Sequence, residues 1–115
     1  MQVTIYHNAR CSNSRGALAL LQERGITPHI VDYLKDPLTA AELTELVAAL
    51  GVPVRDIMRS KEAVYQELGL DNEALTDAQL IAHIAAHPVL LNRPIVVTPK
   101  GAKLCRPPEL VLEIL

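Results

Sequence analysis

The chain has 115 residues, 50% of them hydrophobic, which is length for one domain whose core forms without disulfides or metal. Its only aromatics are 3 tyrosines, so the core is expected to be built from Leu, Ile, Val and Ala, and there is no platform of rings for single-stranded nucleic acid. A net charge of -2 and a pI near 6.0 argue against a general affinity for polyanions, so any positive site must be local.

Residues 2–6 (Gln-Val-Thr-Ile-Tyr) alternate and are rich in strand formers, and they run into a polar turn, His7-Asn8-Ala9-Arg10. This opening has none of the marks of a signal peptide, and no apolar run approaches the ~18 residues of a membrane span. Two cysteines without a secretory signal point to a reducing cytoplasm and free thiols. Ser12, Asn13 and Ser14 are all capping types, and Ala17, Leu18, Leu20 and Leu21 give an apolar helix face that Gly25 stops. Cys11 therefore stands at or just before a helix N-terminus. Residues 28–33 read as a second strand, and the order strand, helix, strand implies a parallel right-handed pair.

A helix follows Pro37: Thr39-Ala40-Ala41-Glu42 has capping-box spacing, Leu43, Leu46, Val47 and Leu50 share a face, and Gly51 with Pro53 ends it. Short helices are expected over 54–59 and 61–67, with Gly69 as a break. Thr76-Asp77-Ala78-Gln79 repeats the capping spacing, and Leu80, Ile81 and Ile84 form the buried stripe of a helix that stops before Pro88. Ile95-Val96-Val97 and Ala102-Lys103-Leu104, separated by Thr98-Pro99-Lys100-Gly101, read as a hairpin. A last helix is expected from Pro107 or Pro108 through Leu110, Val111 and Ile114. The predicted order is βα, β, a helical insertion over about 38–88, then ββα: one α/β domain over 1–115.

A thiol attacks as its anion, and a free Cys with a pKa near ~8.5 is only slightly ionised at pH 7. Each tenfold gain in thiolate takes ~1.4 kcal/mol, and a helix N-terminus offers roughly 0.3–2 kcal/mol, so nearby cations are expected to add to it. His7, Arg10 and Arg15 are the candidates close in sequence to Cys11. The alternative, a buried structural thiol, fits poorly with the polar run His-Asn-Ala-Arg-Cys-Ser-Asn-Ser-Arg. Two other thiol architectures are ruled out by counting. Ser14 stands where a C-x-x-C motif needs its second Cys, and Ala17 stands where a C-x5-R loop needs its Arg. Cys105, after Leu104 at a strand end, reads as a small buried hydrophobe. His83 and His87 have metal-compatible spacing, but with no Glu after His83 and no third ligand they read as a solvated helix face and a C-terminal cap, so no metal is assigned.

The segment His7-Asn8-x-x-Cys11-Ser12-x-Ser14-Arg15 resembles the active-site segment of the glutaredoxin-linked arsenate reductases, the ArsC-like branch of the thioredoxin-like superfamily. Asn92-Arg93-Pro94-Ile95-Val96-Val97-Thr98-Pro99 and Leu104-Cys105-Arg106-Pro107 resemble the same family, in order and at the right distances, so the likeness spans essentially the whole chain. It implies a thioredoxin-like fold with a helical insertion and a cis proline at Pro94. It also implies Cys11 as nucleophile with His7 helping to keep it ionised, and Arg59, Arg93, Arg106 and Ser14 as the substrate-binding set, arginine forks being suited to tetrahedral oxyanions.

The activity implied is reduction of arsenate to arsenite through a Cys11 thioarsenate. Glutathione would be the co-substrate and glutaredoxin the protein partner, with no bound cofactor, no nucleic acid and no membrane, in a cytoplasmic monomer. Two other readings stay open: a thiol oxidoreductase of the same fold acting on another substrate, and a Spx-like regulator that binds RNA polymerase, whose kind usually carries C-x-x-C. Longer members of the family continue with a charged tail beyond the last expected helix, where this chain stops at Leu115.

Overall fold

The computed structural model describes residues 1–115, which divide into two compact units: Met1–Asp36 with Arg93–Leu115, and Pro37–Asn92. No helix is long and apolar enough to cross a membrane.

The first unit holds the four strands, β1 (Thr4–His7), β2 (His29–Asp32), β3 (Ile95–Thr98) and β4 (Gly101–Leu104), in the order β2-β1-β3-β4. β1 runs parallel to β2, pairing Ile5 with Ile30, and antiparallel to β3, pairing Ile5 with Val96; β3 and β4 form the antiparallel hairpin. A parallel pair joined to a hairpin is the thioredoxin-like arrangement expected. Helix α1 (Ser12–Glu23) links β1 to β2 and ends at Gly25, whose φ of 74° lets the chain reverse so that Ile26 N–H returns to the Leu21 carbonyl.

One face of the sheet is packed by α1 and by the C-terminal segment. The cluster contains Val3, Ile5, Ala17, Leu21, Val96, Cys105, Val111 and Ile114, all buried, with Leu18 and Leu20 partly buried against it. The aliphatic core expected from the scarcity of aromatics is the one found. At Gly16 of α1 the approach is so close that a Cβ would lie 2.9 Å from Pro108 Cγ.

Where a helix was expected at the C-terminus, Pro108–Ile114 is a 3-10 helix. Its first turn closes by the tighter three-residue bond from Leu110 N–H to the Pro107 carbonyl at 3.1 Å.

The second unit is helical: α2 (Ala40–Leu50), a 3-10 turn (Val54–Ile57), α3 (Ala63–Glu67), α4 (Asp77–Ala86) and a second 3-10 turn (Pro88–Leu90). Both predicted capping boxes form. Thr39 Oγ1 accepts from Glu42 N–H at 3.1 Å while Glu42 accepts from Thr39 N–H, and Thr76 with Gln79 does the same at 3.2 Å. Leu43 and Leu46 of α2 and Leu80, Ile81 and Ile84 of α4 are buried, as their spacing required. The segment read as a helix over 54–59 is shorter and of 3-10 type. Beyond it Met58 bridges to Leu91, and Arg59 N–H bonds to the Leu90 carbonyl, so the backbone there is drawn into extended pairing. Arg55 ties the unit together, donating to Tyr65 Oη at 2.9 Å and to the Leu70 and Asn72 carbonyls at 2.7 and 2.8 Å.

Candidate functional site

Sheet register decides what gathers at one end of the first unit. Because β1 is antiparallel to β3, with Tyr6 opposite Ile95, and Ile95 is opposite Leu104, the end of β1, the start of β3 and the end of β4 lie together. His7, the turn to Cys11, Arg93 and Arg106 are carried there by those three strand ends.

The turn is tied by its own groups. Cys11 N–H bonds to the Asn8 carbonyl at 2.9 Å, Arg10 N–H to Asn8 Oδ1 at 3.0 Å, and the Arg15 guanidinium to the Ala9 carbonyl at 2.9 Å. Asn8 N–H donates to Ser14 Oγ at 3.3 Å, pinning the turn to the first turn of α1. Cys11 is the N-cap residue of α1, with extended backbone, and the early N–H groups of the helix act on its sulfur. Burial pushes the Cys11 thiol up, but hydrogen bonds from Ser14 and Asn13 N–H, from the Arg93 guanidinium and from the Ser14 hydroxyl outweigh it, and the net result is a thiol lowered to about 7. Arg106 Nη1 stands 3.7 Å from Sγ and donates to the Arg93 carbonyl at 2.9 Å; its exposed guanidinium keeps other N–H groups for a ligand.

Several expected roles change. Arg15, a candidate for lowering Cys11 by charge, spends its guanidinium on the Ala9 carbonyl, and the lowering comes from α1 N–H groups and from Arg93, distant in sequence. His7, expected to help hold Cys11 ionised, is buried; burial lowers its pKa, Asp32 raises it, Arg15 lowers it, and the net direction is down. An imidazole with an ordinary midpoint near ~6.5 that is lowered further is neutral at pH 7, so it carries no charge for the sulfur. Its Nδ1 is buried and has no hydrogen-bond partner. Ser14, expected in the substrate-binding set, is wholly buried, with its hydroxyl engaged by Asn8 and Cys11. Arg59 lies in the helical unit, where it pairs with Glu62 at 2.8 Å.

The peptide bonds Arg93–Pro94 and Arg106–Pro107 are both cis; the first was implied by the family likeness and the second was not. Cys105 is fully buried, and burial pushes its thiol up to about 12, which leaves it an inert core side chain as read. His87 is the C-cap of α4, its N–H on the His83 carbonyl at 2.9 Å. Asn13 was missed by sequence reasoning as part of the site. Its position, two residues into a helix capped by Cys, was the available signal.

The profile of the ArsC family matches residues 6–114. An arsenate reductase of Rhizobium meliloti (strain 1021) is 48% identical over 115 residues, covering 100% of this chain and 82% of the relative. An arsenate reductase of Escherichia coli is 49% identical over 113 residues, covering 98% and 80%. Among solved structures, an arsenate reductase from Vibrio cholerae superposes with a TM-score of 0.97 at 49% identity, covering 100% of this chain and 98% of that one.

Proposed function

Since the chain belongs to the ArsC family, we propose that it is an arsenate reductase that works through the Cys11 thiolate. The observation that carries this reading is a single sulfur at the N-terminus of α1, lowered to about 7, with Arg106 Nη1 at 3.7 Å.

At pH 7 a thiol of that midpoint is about half ionised, against a few per cent for a free Cys. The thiolate attacks arsenic(V), a sulfur–arsenic bond forms, and one arsenate oxygen leaves as water after protonation. Arg93 and Arg106 would hold the remaining oxygens and balance their charge. Reduction to arsenic(III) takes two electrons. Two external thiols supply them: the glutathione sulfur bonds to arsenic as a second oxygen leaves as water, the glutaredoxin thiolate takes that sulfur as a mixed disulfide and leaves the electron pair of the broken bond on arsenic, and water cleaves the Cys11–arsenic bond to release arsenite and regenerate the thiol. The chain cannot close this cycle alone, because Ser14 occupies the in-turn partner position and the thiol of Cys105 is buried and pushed up to about 12. A reducing cytoplasm supplies such thiols, and both cysteines are free.

The test is arsenate-dependent NADPH oxidation in a coupled mixture of glutathione, glutaredoxin and glutathione reductase. Wild type should turn over and Cys11→Ser should not; equal rates from the two proteins would end the proposal.

A further inference from the structure

The turn that presents Cys11 is also one wall of a groove of about 250 Å³ lined by Asn8, Ala9, Arg10, Asp32, Leu34 and Lys35. That size is just below the ~300 Å³ at which pockets for small organic ligands begin, which suits a small molecule lying partly in solvent. Arg10 and Lys35 are exposed, and neither takes part in the ion pairs of the chain, Arg59–Glu62 and Lys103–Glu113. The walls are held in place. Arg10 N–H is bonded to Asn8 Oδ1 at 3.0 Å, and the Asp32 carbonyl accepts from Lys35 and Asp36 N–H at 3.0 and 2.8 Å. Leu34, 45% exposed, adds an apolar surface between the charges.

Two cations and one carboxylate around a short apolar surface complement a ligand with two carboxylates, one ammonium and a methylene stem. Glutathione has that charge inventory together with the thiol the reaction consumes. Arg10 directly precedes Cys11, so their Cα atoms are ~3.8 Å apart and the groove adjoins the turn that carries the reacting residue. We propose that this groove is the docking site of glutathione, with Arg10 and Lys35 receiving its carboxylates, Asp32 its ammonium and Leu34 its aliphatic stem. The inference rests on the glutathione-dependent reading of the same site.

S-Methylglutathione, which has the charges but no free thiol, is titrated into the full isotope-labelled chain and followed by amide shifts. Saturable shifts are expected at residues 8–10 and 32–35. Lys35→Ala should weaken binding about fivefold, as for one exposed ionic contact, and Lys35→Arg should restore it. In turnover, Lys35→Glu should raise the glutathione KM and leave the arsenate KM unchanged. Shifts confined to another surface, no saturable shifts at all, or equal affinity in wild type and Lys35→Glu would overturn the inference. A rise in the KM for glutaredoxin alone would also overturn it, assigning the groove to the protein partner. The two proposals fail separately. If S-methylglutathione fills the groove but arsenate turnover ignores glutathione, the docking site stands and the functional reading falls. If turnover needs glutathione and its KM is indifferent to Lys35→Glu, the reverse holds.

Discussion

Replacing Ser14 by Ala removes one oxygen from a residue with no exposed surface and leaves every charge in place. That oxygen accepts from Asn8 N–H at 3.3 Å and donates to the Cys11 sulfur, where it is the smallest of the four contributions that lower the thiol. A hydrogen bond to a charged group is worth ~1.5–3 kcal/mol, and the low end applies here, so the midpoint should rise by about one pH unit at ~1.4 kcal/mol per tenfold change. From a starting value of about 7 the thiolate share at pH 7 then falls from about half to about a tenth. Iodoacetamide alkylation of Cys11 across pH 5 to 10 reads the midpoint directly, and alkylation at pH 7 should slow roughly fivefold. Asn8 N–H loses its acceptor as well, which should cost about 1 kcal/mol of stability in a thermal melt. A Ser14→Ala protein with a slightly lowered melting temperature and an unmoved alkylation midpoint would refute the assignment of this hydroxyl to the sulfur.

Gly16→Ala places a methyl 2.9 Å from Pro108 Cγ, a ring that has no rotamer to give; the overlap should outweigh the helix-propensity gain of ~1 kcal/mol and leave a net loss of about 1–2 kcal/mol by urea unfolding. Thr39→Ala removes the capping box of α2 and should cost about 1 kcal/mol, read from the same curves. The folded-state thiol of Cys105 is raised, so its stabilising contribution is whole below the unfolded midpoint of ~8.5 and drains as pH rises toward about 12. Urea titrations between pH 8 and 11 should show stability falling with pH, and Cys105→Ala should be less stable at pH 7 but flatter over that range. Phosphate has the shape and charge of arsenate and cannot be reduced by a thiol, so it should act as a weak competitive inhibitor against arsenate. Inhibition should weaken further in Arg106→Ala, and its absence from wild type would count against an arginine oxyanion site.

Much of the site was legible because the signals were local. The polar run before Cys11, the capping types after it and the apolar spacing of Ala17 and Leu21 place a thiol at a helix N-terminus with no need of the rest of the chain. The two capping boxes were legible for the same reason: each closes within four residues. The identity of the groups that act on the sulfur was less accessible. Proximity in sequence favoured His7, Arg10 and Arg15, yet His7 is buried to neutrality and Arg15 turns back to the Ala9 carbonyl. Ser14 was legible as part of the turn, but its complete burial was not, since that is a property of the packed turn.

The amino-acid sequence by itself determined the order of the main elements, the parallel first pair and a nucleophile with no partner thiol in its own turn, because periodicity, capping and the absence of a second Cys from that turn act over a few residues. Tertiary structure alone decided which side chains meet that nucleophile. Arg106 reaches Cys11 across 95 positions because β1, β3 and β4 pair in one antiparallel register that brings their ends together. A register shifted by one residue would turn those ends to the opposite face of the sheet, and nothing in the local composition of either segment sets that pairing.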